Sequence, residues 1–96
     1  VYTDQNFPTN MYVWEAWKRY GARIHVVKSR DGRTVPTEDL LAAIDETTLI
    51  LPISHVFFRS SYRQDAAAIC ARAKEVGALV LLDTYQSLGV VPVDVQ

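Results

Sequence analysis

Asp83 ends the apolar run Ala78 to Leu82, and a polar turn starts directly behind it in GALVLLDTYQSLG. A carboxylate at the end of a buried strand has two ordinary uses. It accepts hydrogen bonds from nearby amides, as a cap or loop tie, or it holds a cation that the chain does not itself supply. Two other stretches concentrate groups that could do chemistry: DQNFPTN, with Phe7, Thr9 and Asn10, and SHVFFRSSYR, with Ser54, His55 and Arg59. Other chemistries find less support. His55 and Cys70 lie on separate segments without further ligands at a binding spacing, so no metal set is expected. No G-x-G-x-x-G and no P-loop follows any strand, which argues against a plain nucleotide-binding module.

These groups need elements to position them, and strand-like and helix-like patterns alternate along the chain. VYTD reads as a short strand. PTNMYVWEAWKRYG places Met11, Trp14, Trp17 and Tyr20 at helical spacing and closes on Gly21, and that apolar face is expected to pack on a sheet rather than meet a partner. ARIHVVKS reads as a strand and RDGRTV as a turn with Asp31-Gly32 at its tip. PTEDLLAAID reads as a helix with Thr37 as N-cap and Glu38 and Asp39 in its first turn. TTLILPI is a strand, Asp65 caps a helix that runs to Val76 and stops at Gly77, ALVLLD is the next strand, and GVVPVDV a further extended piece. A β-α-β-α-β-α-β order with apolar strands implies an α/β fold, a mainly parallel sheet covered by helices. In such sheets ligands bind beyond the carboxyl ends of the strands, and the three clusters fall at three of those ends. KSRDGR, after the second strand, reads as an ordinary exposed turn.

Composition narrows the setting. The chain has 96 residues, 49% hydrophobic and 22% charged, with a formal net charge of −1. It is therefore neither disordered nor membrane-spanning by pattern, and it lacks the basic surface of a sequence-independent nucleic-acid binder. The single cysteine excludes an internal disulfide, fits a reducing, cytoplasmic compartment, and is read as a packing residue. The chain opens on a strand and stops without a closing helix, so residues 1–96 are expected to form a single partial domain.

Taken together and in this order, the three clusters resemble the large domain of the class V aminotransferase family, whose members use pyridoxal 5'-phosphate (PLP) on the fold type I scaffold. The resemblance runs over the whole chain and is densest in ISHVFFRSSYRQD and GALVLLDTYQSLGVVPVDV. It implies a three-layer α-β-α arrangement, part of the large domain of a PLP-dependent transferase fold. Asp83 matches the aspartate that faces the pyridine nitrogen, where a carboxylate keeps the ring protonated and the electron sink deep. Gln86 matches the second member of the desulfurase D-x-x-Q turn, which bonds the cofactor's phenolic oxygen; kynureninases usually have His at this place, so Gln86 leans toward the desulfurase-like pattern. Phe7 stands at the aromatic position that stacks on the ring, as in kynureninases. Thr9, Asn10 and Ser54 match kynureninase cofactor contacts, with Asn10 in place of an aspartate. Phe58 replaces a desulfurase asparagine, which removes a donor and weakens a desulfurase assignment. Arg59 is a candidate contact for substrate carboxylate or phosphate. His55 matches a family position without a catalytic role.

What the resemblance implies for the parent protein is a kynureninase-like or related lyase or aminotransferase acting on an amino acid, cytoplasmic and homodimeric, without nucleic-acid, membrane or metal partners. A cysteine desulfurase-like enzyme is one alternative, and a non-catalytic α/β binding or scaffolding module another. No catalytic residue is expected within the chain. Lys18, Lys28 and Lys74 match nothing in the family's lysine role, and the Schiff-base lysine is expected beyond Gln96. The phosphate-binding turn is expected before Val1. By itself this segment is expected to be inactive.

Overall fold

A computed structural model describes residues 1–95. Its four strands are β1 (Tyr2–Thr3), β2 (Val26–Val27), β3 (Ile50–Ser54) and β4 (Leu79–Asp83), and its three α-helices are α1 (Pro8–Ala16), α2 (Thr37–Ala42) and α3 (Ala66–Val76). A 3-10 turn, Trp17–Tyr20, extends α1 and closes on Gly21 in the left-handed region, φ 90°. Both strand pairs are parallel: β1 with β2, and β3 with β4 in the register Ser54 opposite Asp83.

The two pairs lie side by side without forming a continuous ladder. Val1 N donates to Ile50 O at 3.0 Å, and the Asn6 side-chain amide donates to Pro52 O at 2.8 Å. The reason for the interruption is Pro52. Leu79 N bonds Leu49 O and His55 N bonds Asp83 O, so odd-numbered residues of β3 face β4 and even-numbered ones face β1. The N–H that Pro52 lacks is therefore one that would have pointed at β1. The spatial order is β2-β1-β3-β4. The chain leaves β1 toward one side and β3 toward the other, so the order reverses between them, at the place where doubly wound sheets open a crevice.

The helices follow from local chemistry. Asp65 caps α3, its side chain accepting from Ala68 N at 3.0 Å, and Gly77 ends it at φ 74°, as its type and position require. Ile69 and Ala73, four apart, form its buried face. With Leu40 and Ile44 from the α2 region, Leu51 and Ile53 of β3, Val27 and Phe57, they make one apolar core on one side of the sheet. Tyr2 points to the other side, toward α1, where its hydroxyl donates to Glu15 at 3.4 Å. Burial, with the neighbouring Glu15 charge and that bond, pushes the phenol's pKa up. Helices thus stand on both faces, the three-layer α/β arrangement.

Several boundaries differ from the sequence reading. Thr37 is not the N-cap of α2: Pro36 occupies that position, no side chain caps the helix, and Thr37 is its first residue. The fixed φ of Pro36 starts the helix instead. ARIHVVKS contributes only Val26–Val27, because β1 offers just two residues to pair with. GVVPVDV forms no strand among the described residues; the chain turns from Tyr85 to Val90. The aromatic face of α1 is not packed as expected. α1 has no buried residue, Trp17 and Tyr20 are exposed, and Cys70 on α3 is exposed as well.

Candidate functional site

Thr3, at the end of β1, starts the first cluster. Its hydroxyl donates to Asn6 Oδ1 at 2.8 Å, and the Asn6 amide reaches across to Pro52 O, so the β1–α1 loop is tied to β3 by a buried asparagine. Phe7 follows as the residue before α1, and Pro8 sets the first helical φ. That placement puts Phe7 and Asn10 beyond the carboxyl ends of the strands. Phe7 packs edge-on against Phe58 of the β3–α3 loop, ring centroids 5.0 Å apart and planes at 69°. Asn10 donates its amide toward Asp83 Oδ2 at 3.4 Å.

The second and third clusters meet through the β3–β4 ladder. Ser54 is buried opposite Asp83, and its carbonyl takes the Gln64 amide at 2.6 Å. Asp83 is half-buried. Its Oδ1 accepts from Tyr85 N at 3.0 Å, which is the loop tie that a carboxylate in this position often makes. The other oxygen has only the long Asn10 contact. A carboxylate offers about four acceptor sites, so capacity remains. Among the described residues the ion pairs are Lys18–Glu15, Arg30–Asp39 and Arg72–Glu75, and none involves Asp83. Asp83 is thus a half-buried carboxylate at this rim with no cationic side chain paired to it among the described residues.

Phe7, Asn10, Ser54 and Asp83 are thus brought together. Thr9 lies exposed in the first turn of α1, Gln86 exposed in the turn after β4, and Arg59 exposed on the β3–α3 loop, each at the same rim but with no mutual contact. A cavity of about 660 Å³ lies at the other end of the sheet, lined by Val1, Trp14, Leu49 and Ile50 among others, and includes none of these residues. No group of three or more His, Cys, Asp or Glu side chains is placed to hold a metal ion among the described residues, and no helix there is long and apolar enough to cross a membrane.

The family model for aminotransferase class V matches residues 1–96. The chain belongs to the class V aminotransferase family. Among its relatives, an uncharacterized aminotransferase, YcbU, of Bacillus subtilis is 38% identical over 96 residues, all of this chain and 25% of that protein. A kynureninase of Pseudomonas fluorescens is 35% identical over 92 residues, 93% of this chain and 20% of the relative. A probable cysteine desulfurase of Methanothermobacter thermautotrophicus is 34% identical over 88 residues, 92% of this chain and 22% of the relative. The chain therefore spans a quarter or less of the length of these relatives.

As a member of this family the chain holds two groups that motif spacing did not single out. Asn6 fixes the approach of Phe7 and Asn10; its only sequence signal is an amide in the turn before Pro8. Ser87, fully buried, lies 3.0 Å from His55 Nδ1 and ties the turn after Asp83 to the end of β3. Nothing in the local pattern marks a serine in a polar turn as buried, because the burial comes from a histidine 32 residues away.

Proposed function

We propose that this chain is part of the large domain of a PLP-dependent enzyme acting on an amino acid, kynureninase-like or a related class V lyase or aminotransferase. One observation carries the reading: Asp83, without a cationic partner among the described residues, stands at a strand end beside Asn10 and within the rim formed by Phe7 and Phe58. That donor set fits PLP, an aromatic cation when its ring nitrogen is protonated. Bound PLP supplies an electron sink for negative charge developing on the amino-acid substrate.

The chain's own residues divide the remaining work. Asp83 holds the proton on the ring nitrogen, and Tyr85 N–H and the Asn10 amide fix the carboxylate that does so. Phe7 offers a flat apolar face that orients a ring and keeps water from it. Gln86 has an uncharged amide donor suited to a phenolic oxygen. Thr9, Asn10 and Ser54 line the rim as polar contacts, and Arg59 has the fork that suits a substrate carboxylate. Schiff-base chemistry needs a lysine. Lys18 is engaged with Glu15 of α1, Lys74 sits in the last turn of α3, at the opposite end of the strands, and Lys28, exposed just past β2, makes no ion pair or side-chain hydrogen bond with a rim residue among the described residues. These positions support a nucleophile from the wider protein.

Phe58, which takes the place of a donor, favours the kynureninase-like reading over the desulfurase-like one. The same likeness supports a cytoplasmic homodimer. The test is to titrate the full-length protein with PLP and follow visible absorption. Saturable binding that falls at least tenfold in Asp83→Ala, with an unchanged urea midpoint, is expected from the loss of a charge-assisted bond of roughly 1.5–3 kcal/mol. A protein that stays colourless with PLP would overturn the reading.

A further inference from the structure

The geometry points to His55 and Ser87 as a positioning pair that sets the turn carrying Asp83 and Gln86. This inference rests on the PLP reading of that turn. His55 is the first residue past β3, and its N–H donates to Asp83 O at 2.9 Å, extending the ladder by one step. Its carbonyl accepts from Gln64 N at 2.9 Å, so the backbone on both sides of the ring is tied down. The imidazole then reaches the far side of the turn, with Nδ1 3.0 Å from Ser87 Oγ. His55 is 7% exposed and Ser87 0%, so water does not compete for this bond.

Ser87 is where the turn is knotted. Its N–H and its hydroxyl both have Thr84 O as acceptor, at 2.9 and 3.3 Å, and its own carbonyl accepts from Val90 N and Val91 N at 3.0 and 2.8 Å. The Ser87 hydroxyl has one proton and two acceptors within reach, Thr84 O at 3.3 Å and His55 Nδ1 at 3.0 Å, so the His55–Ser87 bond forms with either partner donating, according to the imidazole tautomer. The turn from Thr84 to Ser87 is then anchored at two points. Asp83 holds its start through Tyr85 N–H, and His55 holds its end. Gln86 lies between them and has no other tie. Loss of the His55 bond would free Gln86 and the Asp83 carboxylate together without touching the apolar core.

The amide nitrogen of asparagine matches Nδ1 of histidine in reach, and that of glutamine matches Nε2. The full-length protein is compared with His55→Leu, Ser87→Ala, His55→Asn and His55→Gln. PLP affinity is read by absorbance titration, and global stability by urea midpoint. His55→Leu and Ser87→Ala are expected to weaken PLP binding at least roughly five-fold, the lower end of the cost of a buried polar group left unpaired. His55→Asn should stay within about threefold of wild type and His55→Gln should not, a split that a merely space-filling role would not produce. Two readouts need no cofactor: nitrogen NMR of the His55 ring, whose Nδ1 signal is expected to shift in Ser87→Ala, and amide exchange of Tyr85 and residue 87, expected to quicken in Ser87→Ala. A wild-type protein that ignores PLP defeats the functional reading while these two readouts still judge the pair. Wild-type-like PLP affinity in Ser87→Ala, no difference between His55→Asn and His55→Gln, or an Nδ1 signal unmoved by Ser87→Ala would overturn the inference. Should the histidine variants not fold, Ser87→Ala and its effect on the Nδ1 signal decide it.

Discussion

The two halves of this chain are held in different ways. In the second half, β3 and β4 pair over five residues, α3 is capped at both ends, and Leu51, Ile53, Ile69 and Ala73 are sealed in one core. In the first half, β1 and β2 pair over two residues, and α1 has neither a side-chain cap nor a buried residue. Val27, Val35, Leu40 and Ile44 of that half join the same core, but its β1–α1 segment is tied down by polar bonds: Asn6 on Pro52, Tyr2 on Glu15, Asp4 on Ser29 N. Both halves nevertheless supply the rim. Asp83 arrives on the rigid half, Phe7 and Asn10 on the loosely held one. Stability and ligand contact are therefore separable, and substitutions at the rim residues of the β1–α1 segment, Phe7 and Asn10, should act on affinity more than on folding.

The sharpest way to break this contrast is in the core. Ile53→Ala should lower unfolding free energy by about 2–5 kcal/mol in urea, because a 0% exposed side chain leaves a cavity on removal. Trp17→Ala, larger by volume but half exposed, should cost less than about 1 kcal/mol. Comparable losses would mean that the turn extending α1 is packed as tightly as β3, and the comparison would fail.

The next effect belongs to the tie between the halves. Asn6→Ala leaves the Thr3 hydroxyl and the Pro52 carbonyl without partners in a buried site, a cost of about 1–3 kcal/mol. If the tie positions the rim, the same variant should weaken PLP binding by more than Trp17→Ala does, and titration of the two variants side by side measures it.

Helix caps give a smaller pair. Asp65→Ala removes the bond to Ala68 N and should cost about 1 kcal/mol, whereas Thr37→Ala should cost only a few tenths, since no side chain caps α2. The contrast also explains what was legible in the sequence. Asp65 and Gly77 announce α3 because a cap acts within a turn of itself. Thr37 looked equivalent, but the chain enters α2 through Pro36, and whether a hydroxyl folds back on its helix depends on that entry. The three clusters and the parallel alternation were legible because strand ends and turns have local chemistry. Three things were not: the break between β1 and β3 at Pro52, the burial of Ser87 by His55, and the exposure of Trp17. Each depends on a neighbour distant in sequence, or, for Trp17, on packing that periodicity does not encode.

The smallest effect concerns the turn between β2 and α2, in the first half. Asp31 Oδ1 accepts from Thr34 N at 2.7 Å and Arg33 N at 2.8 Å, and Oδ2 from the Thr34 hydroxyl at 2.8 Å. Those bonds, led by the Thr34 amide, hold its carboxyl well below the usual carboxylate range. The sign follows from linkage. The unfolded carboxyl titrates near ~3.9, the folded one lower, so the stabilisation is present above about pH 4 and lost as pH falls toward the folded value. Asp31→Asn should therefore lower the neutral urea midpoint slightly, the effect being small because the side chain is exposed, and flatten the decline below about pH 4, since the contribution the wild type loses in acid is already absent. An unaltered acid slope in the variant would mean that this turn contributes nothing through charge.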